Sequence, residues 1–332
     1  MAQLGEAGWR CKPYYVLARA IIIYVKVRST SMSRINKVLV TGSRGFIGRH
    51  LCKRLEEVGI AVQTSYKSFD SDLGDNHLDN NIDITNMERL HSFEKGAEAI
   101  VHLAAKSSFP DSFNRPYETY YTNILGTLNL LELARLRNIR KFIFISTYVY
   151  GQPKYLPIDE KHQVNPNSPY TMSKFIAEQL CEKYSADFGI DVVSLRPFYI
   201  YGPNSSSRFF INSAIRQIKE TGTVLLSGEL TTRDFLFVKD FVDLIEVILR
   251  GFPVGYNLYN VGYGKSHTLK QACEFLSKSL KKDVRIGYDE EIRRGDVTSM
   301  VADISKVTKA FSWKPSIDLE KGLELIVNNS EY

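Results

Sequence analysis

Lys37-Val38-Leu39-Val40-Thr41-Gly42-Ser43-Arg44-Gly45-Phe46-Ile47-Gly48 decides how the rest of the chain is read. A short β-branched run passes into glycines spaced G-x-x-G-x-x-G. Ile47, Leu51, Leu55 and Val58 then fall on one helical face before Gly59 stops the helix. Strand, glycine turn and helix in that order make a phosphate cradle. Gly42 permits the tight turn, Gly45 lets a pyrophosphate approach the amides at the helix N-terminus, and Gly48 allows close helix–strand packing. Glycines alone also serve ordinary turns, so it is the strand–turn–helix context that points to a dinucleotide.

Outward from this unit, β-branched runs at 61–65, 99–103, 142–146 and 192–196 alternate with amphipathic stretches, two of them long helices at 120–138 and 170–188. The alternation predicts an α/β fold, a Rossmann-type doubly wound parallel sheet. Beyond about 197 the pattern loosens into a strand at 234–238, helices at 239–250 and 266–281, and Gly/Pro turns. That predicts a smaller, interleaved α/β substrate-binding lobe. The expected organisation is an appended segment over 1–34, a dinucleotide-binding domain over 35–196, and a substrate lobe over most of 197–332, with some segments returning to the first domain.

The 332 residues are 44% hydrophobic and 24% charged, which excludes collagen-like, disordered and coiled-coil classes. Of the net charge of +6, Arg10, Lys12, Arg19, Lys26 and Arg28 against Glu6 place +4 in the first 31 residues, leaving +2 for the remaining 301. So small a balance gives no electrostatic case for nucleic acid or a membrane surface as partner. Cys11, Cys52, Cys181 and Cys273 form no Cys-x-x-Cys pair, and the histidines show no metal-ligand spacing, so a reducing, cytoplasmic setting and no metal are expected. The most apolar run, 14–27, contains Arg19 and Lys26 and falls short of the roughly 20 residues of a membrane span. No cleavage pattern follows it. Residues 1–31 therefore read as an appendage whose deletion leaves folding and activity intact, with Met32 opening the functional chain. A weak interfacial helix is the alternative.

Where a dinucleotide site usually places a carboxylate for the ribose hydroxyls, this chain has Ser65-Tyr66-Lys67-Ser68, and Asp70 comes later. Arg44 and Lys67 read as partners of a 2′-phosphate, which favours NADP(H) over NAD(H); as surface charges they would carry no preference. Tyr170 and Lys174 stand one helical turn apart on the same face. The ammonium is expected to lower the phenol's pKa from about 10, so that the phenol exchanges a proton with a sugar hydroxyl or carbonyl. Ser146, at the end of the fourth strand, completes a Ser-Tyr-Lys site beside a nicotinamide.

These residues together resemble the extended short-chain dehydrogenase/reductases, and within them the NAD-dependent epimerase/dehydratase family acting on nucleotide sugars. The resemblance runs from about Lys37 to Val327. It includes Asp83-Ile84, Val101-His102-Leu103-Ala104-Ala105, Asn123-Ile124-Leu125-Gly126-Thr127 and Ser146-Thr147-Tyr148-Val149-Tyr150-Gly151. It continues through Leu195-Arg196-Pro197, Tyr201-Gly202-Pro203, Arg233-Asp234-Phe235 and Arg294-Gly295-Asp296. The glycine loop, the two cations and this resemblance together make Gly42, Arg44, Gly45, Phe46, Ile47, Gly48, Lys67, Asp83, Ile84, Leu103, Ala104, Ala105, Asn123, Tyr170 and Lys174 the expected cofactor-binding residues. The resemblance likewise implies that Ser146, Arg233 and Asp296 meet the substrate, and that the two long helices pair into a homodimer contact. Lys174 would also reach the nicotinamide ribose.

Two departures narrow the reaction. The family's 4,6-dehydratases carry Thr-Asp-Glu where this chain has Ser146-Thr147-Tyr148, which removes the acid and base that eliminate water. Many members carry Asn, which helps hold the diphosphate, where this chain has Tyr199. The expected activity is a nucleotide-sugar epimerase working through a 4-keto intermediate, an isomerase of carbohydrate biosynthesis. An NADPH-dependent 4-keto-sugar reductase is the alternative. A non-catalytic nucleotide sensor would have no need of an intact Ser146, Tyr170 and Lys174.

Overall fold

The computed structural model describes residues 35–65, 82–93, 95–288, 295 and 297–328. The readings of residues 1–34, Lys67 and Asp296 lie outside the described residues. Five strands follow the expected runs closely: β1 (Lys37–Thr41), β2 (Ala61–Ser65), β3 (Ala99–His102), β4 (Lys141–Ile145) and β5 (Asp191–Pro197). Short strands β6 (Tyr199–Tyr201), β7 (Thr223–Leu226) and β8 (Thr232–Phe237) come next, followed by β9 (Tyr256–Val261), β10 (Ser266–Thr268) and β11 (Arg285–Tyr288).

A six-stranded sheet of order β2-β1-β3-β4-β5-β9 is parallel throughout. Its inner strands β1, β3 and β4 are apolar on both faces, as a sheet covered on both sides requires. Val38, Val40, Ile143, Ile145, Val193 and Leu195 pack on one side with the helices Phe46–Glu57 and Val238–Arg250. Leu39, Ile100, Phe142, Phe144 and Val192 pack on the other with Gly126–Leu136 and Pro169–Phe188. Strand order reverses between β1 and β3, and ligands of such sheets sit in the crevice outside the carboxyl ends at that point. β8 lies between β6 and β10 in a second sheet, and β7 pairs with β11; Tyr201, Phe235, Phe237 and Leu226 form a separate core there.

Two element boundaries differ from the sequence reading. The stretch 120–138 is not one helix: a π-helical turn, Tyr121–Leu125, joins Pro116–Tyr120 to Gly126–Leu136. Residues 266–268 form β10 rather than the start of a helix. Thr268 accepts from the Gln271 N–H at 3.0 Å and the Gln271 side chain accepts from the Thr268 N–H, a capping box that fixes the helix start at Leu269. Among the described residues no helix is long and apolar enough to cross a membrane.

Candidate active site

Gly42 stands at φ +71°, and a Cβ there would lie 2.8 Å from the backbone nitrogen of Ala104, so glycine lets the loops after β1 and β3 touch. Gly48 serves a different contact from the helix–strand packing expected of it. A Cβ on Gly48 would lie 2.2 Å from the Gly42 carbonyl oxygen, so it is the loop's own backbone that needs the space. The Gly42 and Ser43 amides donate to the Ser65 carbonyl at 2.7 and 3.2 Å, which ties the loop to the end of β2. The helix Phe46–Glu57 has no acidic residue in its first turn, leaving its N-terminal amides suited to an anion. This set fits a dinucleotide pyrophosphate.

The loop opens on a cleft of about 1220 Å³ that runs across the carboxyl ends of β1, β3 and β4 to the second sheet. Gly42, Arg44, Gly45, Phe46, Ile47, Gly48, Asp83, Ile84, Leu103, Ala104 and Ala105 line it, as do Ser146, Tyr170, Lys174 and Arg233. Asn123 is not on its surface. It stands buried behind the wall, its amide donating to Ser173 Oγ at 2.9 Å and its Oδ1 accepting from the Lys106 N–H at 2.8 Å. Asp83 accepts from the Thr85 N–H and hydroxyl at 3.0 and 2.8 Å, which shapes its own turn at the cleft wall. Arg233 donates to the Val297 carbonyl at 2.6 Å.

The helix Pro169–Phe188 presents the central residues. Ser168 and Thr171 cap its start reciprocally at 3.1 and 3.0 Å, Pro169 occupies its first position, and Gly189 at φ +65° ends it. Its register puts Tyr170 and Lys174 on the cleft, where Lys174 Nζ lies 4.2 Å from the centre of the Phe144 ring. The phenol is not acidified as the Tyr/Lys spacing suggests. Burial pushes its pKa up, against the lowering influence of the Thr147 side chain, and burial lowers Lys174 to about 7 against the raising influence of Cys181 and Glu178. Ser146 Oγ is buried with no hydrogen-bond partner, an orphaned hydroxyl at the wall of a cleft.

Two cleft residues, Thr147 and Tyr199, have no role assigned by the sequence motifs. Thr147 lines the cleft next to Ser146, at the end of β4, and works against burial in setting the Tyr170 phenol's pKa. Tyr199 lines the cleft, and its oxygen accepts from the Phe210 N–H at 3.1 Å, which leaves the hydroxyl proton available to an acceptor. Nothing in the sequence around Tyr199 signals a partner eleven residues away. Across the rim, Arg208 meets Asp111 at 3.1 Å.

A glycine-loop parallel sheet with a tyrosine and lysine opening on its cleft defines a Rossmann-type dinucleotide enzyme of the short-chain dehydrogenase/reductase kind. Residues 38–262 match the model of the NAD dependent epimerase/dehydratase family, and the chain belongs to that family. A UDP-glucuronate 4-epimerase of Thermodesulfobacterium geofontis is 32% identical over 88% of this chain and 95% of its own length. UDP-glucose 4-epimerase from Thermotoga maritima, solved with UDP-glucose, superposes with a TM-score of 0.80 at 29% identity, covering 88% of this chain and 97% of that one. RMD from Pseudomonas aeruginosa complexed with NADPH gives 0.77 at 28% identity, covering 89% and 99%.

Proposed function

We propose that the protein is an NAD(P)-dependent nucleotide-sugar 4-epimerase with Ser146, Tyr170 and Lys174 as its catalytic group. The observation that carries this reading is the buried, unpartnered Ser146 hydroxyl on the same cleft as Tyr170 and Lys174, at the end of the strand next to the cofactor floor. A hydroxyl left without a partner costs stability unless a ligand supplies one. Ser146 and Tyr170 would bond the sugar O4, and the phenol would take its proton and return it. Lys174 would orient the cofactor ribose, and the nicotinamide supplies the hydride chemistry when bound. Residues 35–196 would then serve as the dinucleotide-binding domain and most of 197–332 as the substrate lobe, with Arg233 contacting the nucleotide sugar.

A second reading, an NADPH-dependent nucleotide 4-keto-sugar reductase, is favoured by Arg44 on the cleft and by Ser65, not a carboxylate, ending β2. Analysis of the cofactor that purifies with the protein, followed by mass spectrometry over a panel of nucleotide sugars, separates the two. An epimerase interconverts sugars without net cofactor use, whereas a reductase consumes one NADPH per product. Turnover of no nucleotide sugar in the panel would remove both. Exposed Tyr117, Tyr121, Met172 and Phe188 support a homodimer through the helices around them, and a monomer in light scattering at micromolar concentration would refute it. The free Cys52, Cys181 and Cys273 suit a reducing cytoplasm.

A further inference from the structure

A row of buried polar side chains crosses the molecule beneath the cleft. At its first end the Ala104 N–H donates to Thr41 Oγ1 at 3.3 Å, and Thr41 Oγ1 lies 2.8 Å from His102 Nδ1. On the other side of the ring, His102 Nε2 lies 3.0 Å from Thr127 Oγ1, whose proton goes to the Asn123 carbonyl at 2.6 Å. The Asn123 amide then donates to Ser173 Oγ at 2.9 Å, and Ser173 donates to the Tyr170 carbonyl at 2.7 Å. Thr41, His102 and Ser173 are fully buried, and Thr127 and Asn123 are 1% exposed.

The direction of this chain follows from proton counting. A hydroxyl has one proton, and Thr127 spends it on Asn123, so Thr127 Oγ1 can only accept from His102 and Nε2 must carry the hydrogen. Nδ1 of the neutral ring then accepts from Thr41, whose remaining lone pair receives the Ala104 N–H. Each donor between Ala104 and Tyr170 has one acceptor, and reversing one link would leave a buried group unpaired. The surroundings agree with a neutral ring. His102 packs against Phe142 and Phe144 with ring centres 6.1 and 5.7 Å away, and Lys174 stands over the same Phe144.

The two ends of the chain give it a role. Thr41 precedes the glycine loop and Ala104 belongs to the cofactor floor, whereas Ser173 and Tyr170 form the first turn of the catalytic helix. We propose that His102, as the neutral Nε2–H imidazole, is a positioning residue that couples the floor of the cofactor cleft to the placement of Tyr170. It touches no reacting atom and acts through Thr127, Asn123 and Ser173. This inference rests on the reading of Tyr170 as the acid–base group.

Thr127→Val keeps the shape of the side chain and removes its hydroxyl, and Thr127→Ser keeps the hydroxyl, so the full-length pair separates hydrogen bonding from packing. Nitrogen-15 NMR of histidine-labelled parent protein should show His102 protonated at Nε2; protonation at Nδ1 would overturn the proposal. With the nucleotide sugar that the parent turns over, Thr127→Val should lower kcat about ten-fold, the scale of a misplaced reacting group, with KM within about two-fold. Thr127→Ser should restore the parental rate. A Thr127→Val enzyme with parental kcat, or a Thr127→Ser enzyme equally slow, would refute the coupling. Carbon-13 tyrosine NMR, with the Tyr170 resonance assigned by its loss in Tyr170→Phe, reads placement without turnover. The resonance should move in Thr127→Val and not in Thr127→Ser, and an unmoved resonance in Thr127→Val would sink the proposal on its own. A parent that turns over no nucleotide sugar would instead remove the acid–base reading of Tyr170, while the resonance would still decide the coupling.

Discussion

Along the helix Pro169–Phe188, Tyr170 and Lys174 occupy the first turns and Glu178 the next, all on the face turned inward, yet their surroundings differ in kind. Glu178 receives Arg196 through Nε at 2.9 Å and through a terminal nitrogen at 2.6 Å. Arg196 donates in turn to Tyr150 at 2.9 Å, and Tyr150 to Asn260 at 2.6 Å. The side chains of Glu178, Arg196, Tyr150 and Asn260 are thus bonded to one another. One turn earlier burial lowers the Lys174 pKa and the Tyr170 carbonyl rather than its phenol is tied to the buried chain, and at the end of β4 Ser146 has no partner. The saturated network builds the sheet–helix contact; the unsaturated group opens on the cleft. Burial alone therefore does not mark a functional group; an unspent hydrogen bond on the wall of a cleft, as at Ser146, is the further sign.

Removing one partner of the saturated pair should have the largest effect. Glu178→Ala leaves the Arg196 guanidinium buried without its carboxylate and should cost about 3–5 kcal/mol of stability in denaturant titration. A loss below about 1 kcal/mol, the size of an exposed pair, would erase the contrast. Tyr170→Phe, in the unsaturated stretch, should leave stability near that of the parent while turnover falls by about two powers of ten or more, with cofactor binding retained. Near-normal turnover would remove Tyr170 from the chemistry.

Lys174 sharpens the comparison through pH. In the folded protein it loses its proton near pH 7, whereas an unfolded lysine holds its proton to about 10.4. Between those values the unfolded chain binds more protons, so this group makes stability rise with pH. Lys174→Met removes the titration. The stability difference, parent minus variant, should therefore climb from about pH 7 to about pH 9, and a flat difference would show that burial does not depress the ammonium. The same variant should bind cofactor more weakly if Lys174 reaches the ribose. The smallest expected effect lies at the far end of the cleft. Arg44→Ala should weaken NADP(H) by about ten-fold and barely change NAD(H), as the loss of one charge-assisted contact requires. Titrations in which the ratio of the two affinities does not move would leave the cofactor preference without support.

The sequence by itself determined the parallel sheet and the place of the glycine loop. Strands buried on both faces must be continuously apolar, and a turn that brings backbone against backbone must use glycine, so both leave marks within a few residues. Tyr170 and Lys174 were legible for the same reason, since their contact is one helical turn. Tertiary structure alone decided the rest. The π-turn at Tyr121–Leu125 has no spacing signature of its own, and a boundary such as β10 depends on the Thr268 cap rather than on hydropathy. His102 reads as part of an apolar strand end; its bonds go to Thr41 and Thr127, 61 and 25 residues away. The pKa directions of Tyr170 and Lys174 likewise escaped the motif, because desolvation depends on how much of the fold closes over a side chain, and that sum is taken over every element of the packed molecule.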